Sequence, residues 1–213
     1  MTGKFNINRQ VDISTEKSRI KAKKQIQNYM HENLEIAVYF YRALDSNDIK
    51  LILRKIAELK IIKYQIESKA DELGYSEACK KSINYCKGEC CIWHFPKKIN
   101  WLDFFIAISG LLASKLSELF EQLNEVDNVK YQCPLLHKDG CFFSFDNRPI
   151  TCTNAYPCFA GDQFWEFKER KRNNIKALYM SLDQILQKYK FGHPAFCSLH
   201  FIEHCRMPAV LSF

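Results

Sequence analysis

The sequence contains no hydrophobic run long enough to cross a membrane. Its longest nearly uncharged apolar stretch extends from Phe104 to Ala113, whereas a transmembrane helix needs about 20 such residues. The opening residues, Met1 to Arg9, also lack the apolar segment of a secretory signal peptide. We therefore expect a cytoplasmic protein with no membrane span.

Several familiar catalytic motifs are missing as well. The chain has no glycine-rich phosphate loop, no Gly-x-Ser-x-Gly elbow, no His-Glu-x-x-His pair and no Cys-x-x-x-Cys-x-x-Cys group. These absences remove the signatures of phosphate-loop proteins, α/β-hydrolases, zinc metalloproteases and radical S-adenosylmethionine enzymes. The sequence therefore neither shows nor excludes an enzymatic activity.

The chain is moderately basic, with a formal net charge of +7 over 213 residues. The basic residues fall into three runs in which they alternate with acidic or apolar residues at helical spacing. This alternation favours solvated helix faces over a nucleic-acid surface, and we expect no nucleic-acid partner. The runs are Lys17, Arg19, Lys21, Lys23 and Lys24; then Arg54, Lys55, Lys60 and Lys63; and finally Lys168, Arg170, Lys171 and Arg172.

Apolar residues at three-four spacing predict a mainly α-helical fold. A helix of about 28 residues follows the capping residues 14–17. It ends at the polar segment 45–48, which caps a second helix that stops at Gly74. Asn100 caps a third helix that continues to Leu123, and a last long helix covers about 163–189. Residues 126–160 show no helical period, although 141–145 could form a short strand or hairpin.

The predicted architecture is a long N-terminal antiparallel helical hairpin and two further long helices, with an irregular cysteine-rich metal-binding layer. We divide the chain into the hairpin (1–75), the cysteine-cluster region with its inserted helix (76–162) and the C-terminal helix and tail (163–213), packed as one globular unit. The apolar stripes of the hairpin exceed what two helices can bury against each other. Packing on the later helices is favoured, and a homodimer through the hairpin is the alternative.

The cysteines are the main functional signal. Seven of the ten lie between residues 86 and 158, beside glycines and prolines that bend the backbone so that several sulfurs can converge. A disulfide framework is disfavoured in a reducing compartment, so the pattern indicates a metal site. The candidate ligands are Cys86, Cys90, Cys91, Cys133, Cys141, Cys152 and Cys158. Adjacent Cys90 and Cys91 seldom bind one metal together, and Cys79 is expected to be a buried apolar residue.

The spacing of these motifs resembles that of the YkgJ-like cysteine-cluster family, which is described as a zinc- or iron-chelating domain. The resemblance covers about residues 84–160, and it implies metal binding rather than any reaction. The family's opening group carries one more cysteine, where this chain has Ile83. The matching elements are Cys86, Cys90 and Cys91; Cys133-Pro-Leu-Leu136; Gly140-Cys141; Arg148-Pro-Ile-Thr-Cys152; and Tyr156-Pro-Cys158.

Thiolate ligands suit zinc, copper(I) and iron–sulfur clusters. Neither the paired spacing of zinc fingers nor that of ferredoxins is present. The surrounding aromatic residues offer a dry shell that favours a [4Fe-4S] cluster, with zinc as the alternative. We accordingly expect electron or cluster transfer to a protein partner or, alternatively, a zinc-stabilised interaction module without redox chemistry. The aromatic residues are Phe142, Phe143, Phe145, Tyr156 and Phe159.

Two further features lie beside the cysteine pattern. Arg148 could donate to backbone carbonyls or to the negative thiolate centre, so it is a candidate cofactor-binding residue, with a structural role favoured over substrate binding. The tail contains His193, Cys197, His200, His204 and Cys205. On one helix the outer members of Cys197, His200 and His204 lie about 10 Å apart, too far to share one ion. We expect this tail to be an amphipathic helix that packs on the core.

Overall fold

The computed structural model describes residues 15–77, 98–124, 133–137, 140–155 and 160–190. Within these ranges the protein is mainly α-helical, which confirms the predicted fold class at this level. The helices are α1 (Glu16–Ala43), α2 (Ser46–Glu72), α3 (Trp101–Ile108), α4 (Ala113–Asn124), α5 (Ile150–Ala155) and α6 (Asp162–Lys190). Between α4 and α5, two short strands, β1 (Leu136–His137) and β2 (Gly140–Cys141), form a small antiparallel sheet. A 3-10 turn (Phe145–Asn147) follows the sheet. None of these helices has the length and apolarity that a bilayer span requires.

The N-terminal helices begin and end where the local sequence predicts. Thr15 caps α1 in a reciprocal capping box with Ser18. The carboxylate of Asp45 accepts hydrogen bonds from the backbone amides of Asn47 and Asp48, at 3.0 and 2.9 Å, at the start of α2. Gly74 follows α2 with a φ of 74°, the left-handed conformation that commonly terminates helices. These ends depend on short-range hydrogen bonds, which is why the sequence reveals them.

The prediction of one continuous helix from the Asn100 cap to Leu123 is wrong, because the structure divides this segment into two helices, α3 and α4. All eight residues of α3 are buried, whereas α4 buries one stripe formed by Leu119 and Leu123. The break lies at Ser109 and Gly110, where the glycine lowers helix propensity and the Ser109 hydroxyl donates to the carbonyl of Ile106 at 2.8 Å. Of the two further long helices predicted, α6 alone, with 29 residues, is long within the described ranges.

The core lies between the N-terminal helices and the later ones. The helix α1 packs chiefly on α3 and α4, and α2 packs chiefly on α6 and the 3-10 turn. Phe40 of α1 stacks on Trp101 of α3, with 4.6 Å between the ring centres. At the far end of α2, the hydroxyl of Tyr75 accepts from the backbone amide of Gly161 at 2.9 Å. The apolar stripes of α1 and α2 are thus buried against later helices of the same chain.

The cysteine region contains more regular structure than the sequence predicts. The hairpin pairs Leu136 with Cys141, so it begins before the predicted segment 141–145. Residues 150–155 form α5, although no helical period marks them. A helix of this length contains too few turns to show a period, and Pro149 immediately before it suits a first-turn boundary.

Replacing Gly74 with alanine should destabilise the protein by about 1 kcal/mol, because a side chain at positive φ is strained. No atom of the described residues lies within 4 Å of the added Cβ, so the expected cost is conformational rather than steric. Urea unfolding measures this loss in the free energy of unfolding. Gly110→Ala is the matched control: within the described ranges its Cβ meets the flexible end of Lys60, at 3.0 Å, and we expect a smaller effect. Equal losses of unfolding free energy in Gly74→Ala and Gly110→Ala would contradict the left-handed conformation of Gly74.

Candidate metal centre

Three of the seven candidate ligands lie in the described part of the chain. Cys133 precedes β1, Cys141 ends β2, and Cys152 lies in α5. Cys133 is buried, and Cys141 and Cys152 are partly buried. Outside the described residues lie the other candidates, Cys86, Cys90, Cys91 and Cys158, together with Cys79, Tyr156, Phe159 and the tail from His193 to Cys205.

The β-hairpin brings two of these cysteines onto one small unit. The carbonyl of Cys133 accepts from the amide of Leu136 at 2.9 Å, and the amide of Phe142 donates to the carbonyl of Leu135 at 2.8 Å. The side chain of Gln122 on α4 donates to the carbonyl of Pro134 at 2.7 Å. The hairpin is therefore closed by backbone hydrogen bonds and tied to the helical part of the fold.

The third cysteine lies in the same electrostatic neighbourhood. Burial raises the pKa of the Cys152 thiol well above its usual value, and negative charge on Cys133 and Cys141 raises it further. In the described ranges, however, no group of three or more His, Cys, Asp or Glu residues is gathered tightly enough to hold a metal ion.

Arg148 holds the loop that leads to Cys152. Its Nε donates to the carbonyl of Phe143 at 3.4 Å, and its guanidinium carbon lies 5.6 Å from the ring centre of Phe145. The positive charge of Arg148 also lowers the pKa of Cys152. The sequence suggests backbone carbonyls or the thiolate centre as acceptors for Arg148, and the structure shows a bond to a backbone carbonyl.

A second cation reaches the same loop from the middle of α2. Lys63 is fully buried, and its Nζ donates to the carbonyl of Arg148 at 2.5 Å. Burial lowers the pKa of Lys63 to about 8, although negative charges on Asp103 and Cys152 act in the opposite direction. The prediction that Lys63 belongs to a solvated helix face is therefore wrong, because its side chain points into the protein.

A buried carboxylate anchors the start of α5. Oδ1 of Asp103 accepts from the amide of Ile150 at 3.1 Å and from the hydroxyl of Tyr179 at 3.0 Å. Oδ2 accepts from the amide of Asn100 at 3.2 Å. Burial raises the pKa of Asp103, while these hydrogen bonds and the charge of Lys63 lower it. Asp103 thus links α3 to α5 and α6.

The other end of α5 is held by a second buried lysine. Nζ of Lys168 donates to the carbonyl of Asn154 at 2.5 Å and lies 4.5 Å from the ring centre of Trp165. Only 5% of Lys168 is exposed, so its prediction as a solvated residue is also wrong. A carboxylate at the N-terminus of α5 and an ammonium at its C-terminus both complement the helix dipole.

The sequence patterns place Tyr179 on the buried side of the last helix, as observed, but they did not single out Asp103 and they placed Lys63 and Lys168 on solvated faces. A signal was nevertheless present. The buried stripe of α2 runs through Ile56, Leu59, Lys63 and Ile66, so the lysine occupies a position that the helical spacing reserves for the core. Asp103 similarly interrupts an apolar helix. A charged residue at a stripe position marks a buried interaction whose partner lies elsewhere.

Comparison with protein-family models, curated proteins and solved structures finds no match to this chain. The resemblance to the YkgJ-like family therefore rests on the cysteine motifs themselves. What the structure adds is local geometry: the Arg148-to-Asn154 segment is anchored by buried charges from α2, α3 and α6.

Replacing Asp103 with alanine should cost about 3 kcal/mol, because the amide of Ile150 and the hydroxyl of Tyr179 would lose a buried acceptor. Tyr179→Phe is the matched control, since it removes one of these hydrogen bonds and leaves the carboxylate bound to Ile150 and Asn100; we expect a loss of about 1 kcal/mol. Urea unfolding compares the two variants. A loss in Asp103→Ala no greater than that in Tyr179→Phe would contradict the anchoring role.

Lys168 should give the stability a measurable pH dependence. Burial lowers its pKa to about 7 in the folded protein from an ordinary value of 10.5. Between these values the unfolded chain binds more protons at this residue than the folded chain does, so its contribution to stability rises with pH. The free energy of unfolding of the wild type, minus that of Lys168→Met, should therefore increase from pH 7 to pH 10. A flat difference between pH 7 and pH 10 would contradict the lowered pKa of Lys168.

Proposed function

We propose that this chain is a metal-binding protein of the YkgJ-like kind, with a thiolate-ligated centre drawn from the seven candidate cysteines. The proposed centre is a [4Fe-4S] cluster that passes electrons, or the cluster itself, to a protein partner. One observation carries the proposal: Cys133 and Cys141 lie on one closed β-hairpin, in which the amide of Leu136 donates to the carbonyl of Cys133 and Leu136 pairs with Cys141. The remaining ligands would come from Cys86, Cys90, Cys91 and Cys158.

The donors and their surroundings fit a soft metal. Thiolates bound to a metal leave a net negative centre, which positive groups nearby would stabilise. Arg148 supplies one such charge near Cys152. Phe143 and Phe145 are buried beside this loop, and the ring of Phe143 meets that of Phe104 edge-on at 6.4 Å. An apolar shell of this kind excludes water and influences the reduction potential of a cluster.

The finer architecture forms part of the same proposal. In it, α1 and α2 make an antiparallel hairpin, and the β-hairpin, the 3-10 turn and α5 belong to the cysteine-rich layer at one end of the helices. The three regions 1–75, 76–162 and 163–213 act as one unit. A homodimer through the N-terminal hairpin would add a second copy of the centre. The proposed location of the protein is the cytoplasm.

Zinc is the alternative occupant of the same donors. The closed hairpin carrying Cys133 and Cys141 is a compact support that would suit a structural zinc ion, whose sites are closed by four protein ligands. In that case the chain would be an interaction module without redox chemistry. Reversible reduction and oxidation of the bound metal would favour the cluster, and a metal that never changes oxidation state would favour zinc.

The deciding experiment is elemental analysis and absorption spectroscopy of protein purified without oxygen. We expect iron and sulfide with a broad visible absorption band, because thiolate-bound clusters are coloured. A colourless protein that contains zinc would support the alternative. A chain that binds neither metal after reconstitution would refute the proposal in both forms.

Single replacements of the described cysteines should identify ligands. We expect Cys133→Ser, Cys141→Ser and Cys152→Ser each to lower the bound metal, because serine is a poor ligand for soft metals. Cys79→Ser and the double variant His200→Ala, His204→Ala are the controls and should keep the full metal content. Loss of one metal equivalent from the still-folded histidine variant would make the tail part of the centre.

A further inference from the structure

One face of α2 carries apolar side chains that point away from the core. This face, which we call the outer stripe, consists of Leu53, Ala57, Ile61 and Tyr64. The three large side chains, Leu53, Ile61 and Tyr64, are 40%, 57% and 65% exposed, and Ala57 is exposed as well. The four positions fall within about 80° of the helix circumference. Single exposed apolar residues are ordinary, but an aligned row of them is typical of an interaction surface.

The end of α6 is fixed beside the start of α2. The hydroxyl of Tyr189 donates to the carboxylate of Asp48 at 2.7 Å, and the ammonium of Lys188 lies 2.6 Å from the same carboxylate. Leu53 follows Asp48 by five residues, which is about 7 Å along the helix. The chain that continues after Lys190 therefore starts close to the first residue of the outer stripe.

The tail is long enough to reach that stripe. We define the tail as residues 191–213, which follow α6 and lie outside the described residues. Between Lys190 and Phe196 an extended chain spans up to about 20 Å, about twice the diameter of a helix. The tail can therefore cross the start of α2 and bring Phe196 to Leu53.

The tail also matches the outer stripe in length and character. The stripe is about 16 Å long from Leu53 to Tyr64, and a helix over residues 195–206, as the sequence predicts, is about 18 Å long. Apolar residues recur along this predicted helix at three-residue spacing, which places them on one side. They are Phe196, Leu199 and Ile202.

We infer that the tail folds back along α2 and packs the apolar side of its predicted helix on the outer stripe. The inference needs no metal, so it is independent of the proposed function. It assigns an occupant to a surface that the core of the protein leaves exposed.

A second copy of the chain is the weaker candidate for this surface. Stable dimers bury about 800 Å² on each partner, contributed by about 20 residues or more, whereas the outer stripe has three large side chains. The tail is already attached at Lys190. Docking it therefore loses less translational freedom than the binding of a separate molecule does.

The first test replaces Tyr64 with the photoreactive residue p-benzoylphenylalanine in the full chain. The side chain of Tyr64 is 65% exposed, so another aromatic residue should not disturb the fold. After irradiation under reducing conditions, we expect cross-links within one chain from position 64 to the tryptic peptide 191–206, identified by mass spectrometry. The same probe at Ile20 is the control. Ile20 lies about 35 Å along α1 from Ala43, far from the start of the tail, and should give no cross-link to residues 195–206.

Each alternative occupant gives a different product. A covalent dimer would assign the outer stripe to a second copy of the chain. A cross-link to residues 1–14 or 78–97 would assign it to another segment, and the absence of any cross-link would show a solvated face. Any of these results in place of the tail cross-link overturns the inference.

Hydrogen exchange supplies an independent test. A glutamate within the outer stripe opposes burial of the tail's apolar side, so amides of residues 195–206 should exchange about tenfold faster in Ile61→Glu than in wild type. Ile20→Glu is the matched control, because Ile20 has a similar exposure of 47%, and it should change these rates by less than about twofold. Equal rates in wild type and Ile61→Glu, or equal acceleration in Ile20→Glu, would contradict docking of the tail on this stripe.

Discussion

The carboxylate of Asp103 lies in a helix that is buried on every side, and a carboxylate in that position must find donors inside the protein. It finds three, in the amide of Asn100, the amide of Ile150 and the hydroxyl of Tyr179. These donors belong to the start of α3, to α5 and to α6. Satisfying one buried acid therefore sets where three parts of the chain meet, and α5 carries Cys152 at that junction.

The helices that the sequence predicts well are those whose ends are set by neighbours in the chain. Thr15 with Ser18, and Asp45 with Asn47 and Asp48, cap their helices within three residues. The break between α3 and α4 was not predictable in the same way, because apolar spacing continues across it. Gly110 is the one local signal at the break, and burial changes there as well, since α3 is enclosed all round while α4 contacts the core along one stripe.

The residues around Cys152 were harder to predict because their partners are distant in the chain. Lys63 and its acceptor Arg148 are 85 positions apart, and Asp103 and Ile150 are 47 apart. Composition suggests that lysines are exposed, as they usually are. Only the positions of Lys63 and Asp103 among otherwise apolar residues indicated that these side chains are buried. Such a pattern predicts a buried charge but does not identify the residue that binds it. The cysteine spacing, by contrast, marked Cys133, Cys141 and Cys152 as candidates for one site without showing what supports them.

A helix of six residues such as α5 is not stable by itself, because nucleating a helix costs more than a few hydrogen bonds return. Its position must come from outside, and the buried contacts of Asp103, Lys63 and Lys168 supply it. These contacts require no metal. The proposed cysteine centre would therefore rest on a support that differs in kind from a zinc finger, in which metal binding and folding are one event. If the proposed centre holds a metal, its removal should leave α1, α2 and α6 packed and disturb chiefly the segments that carry thiols.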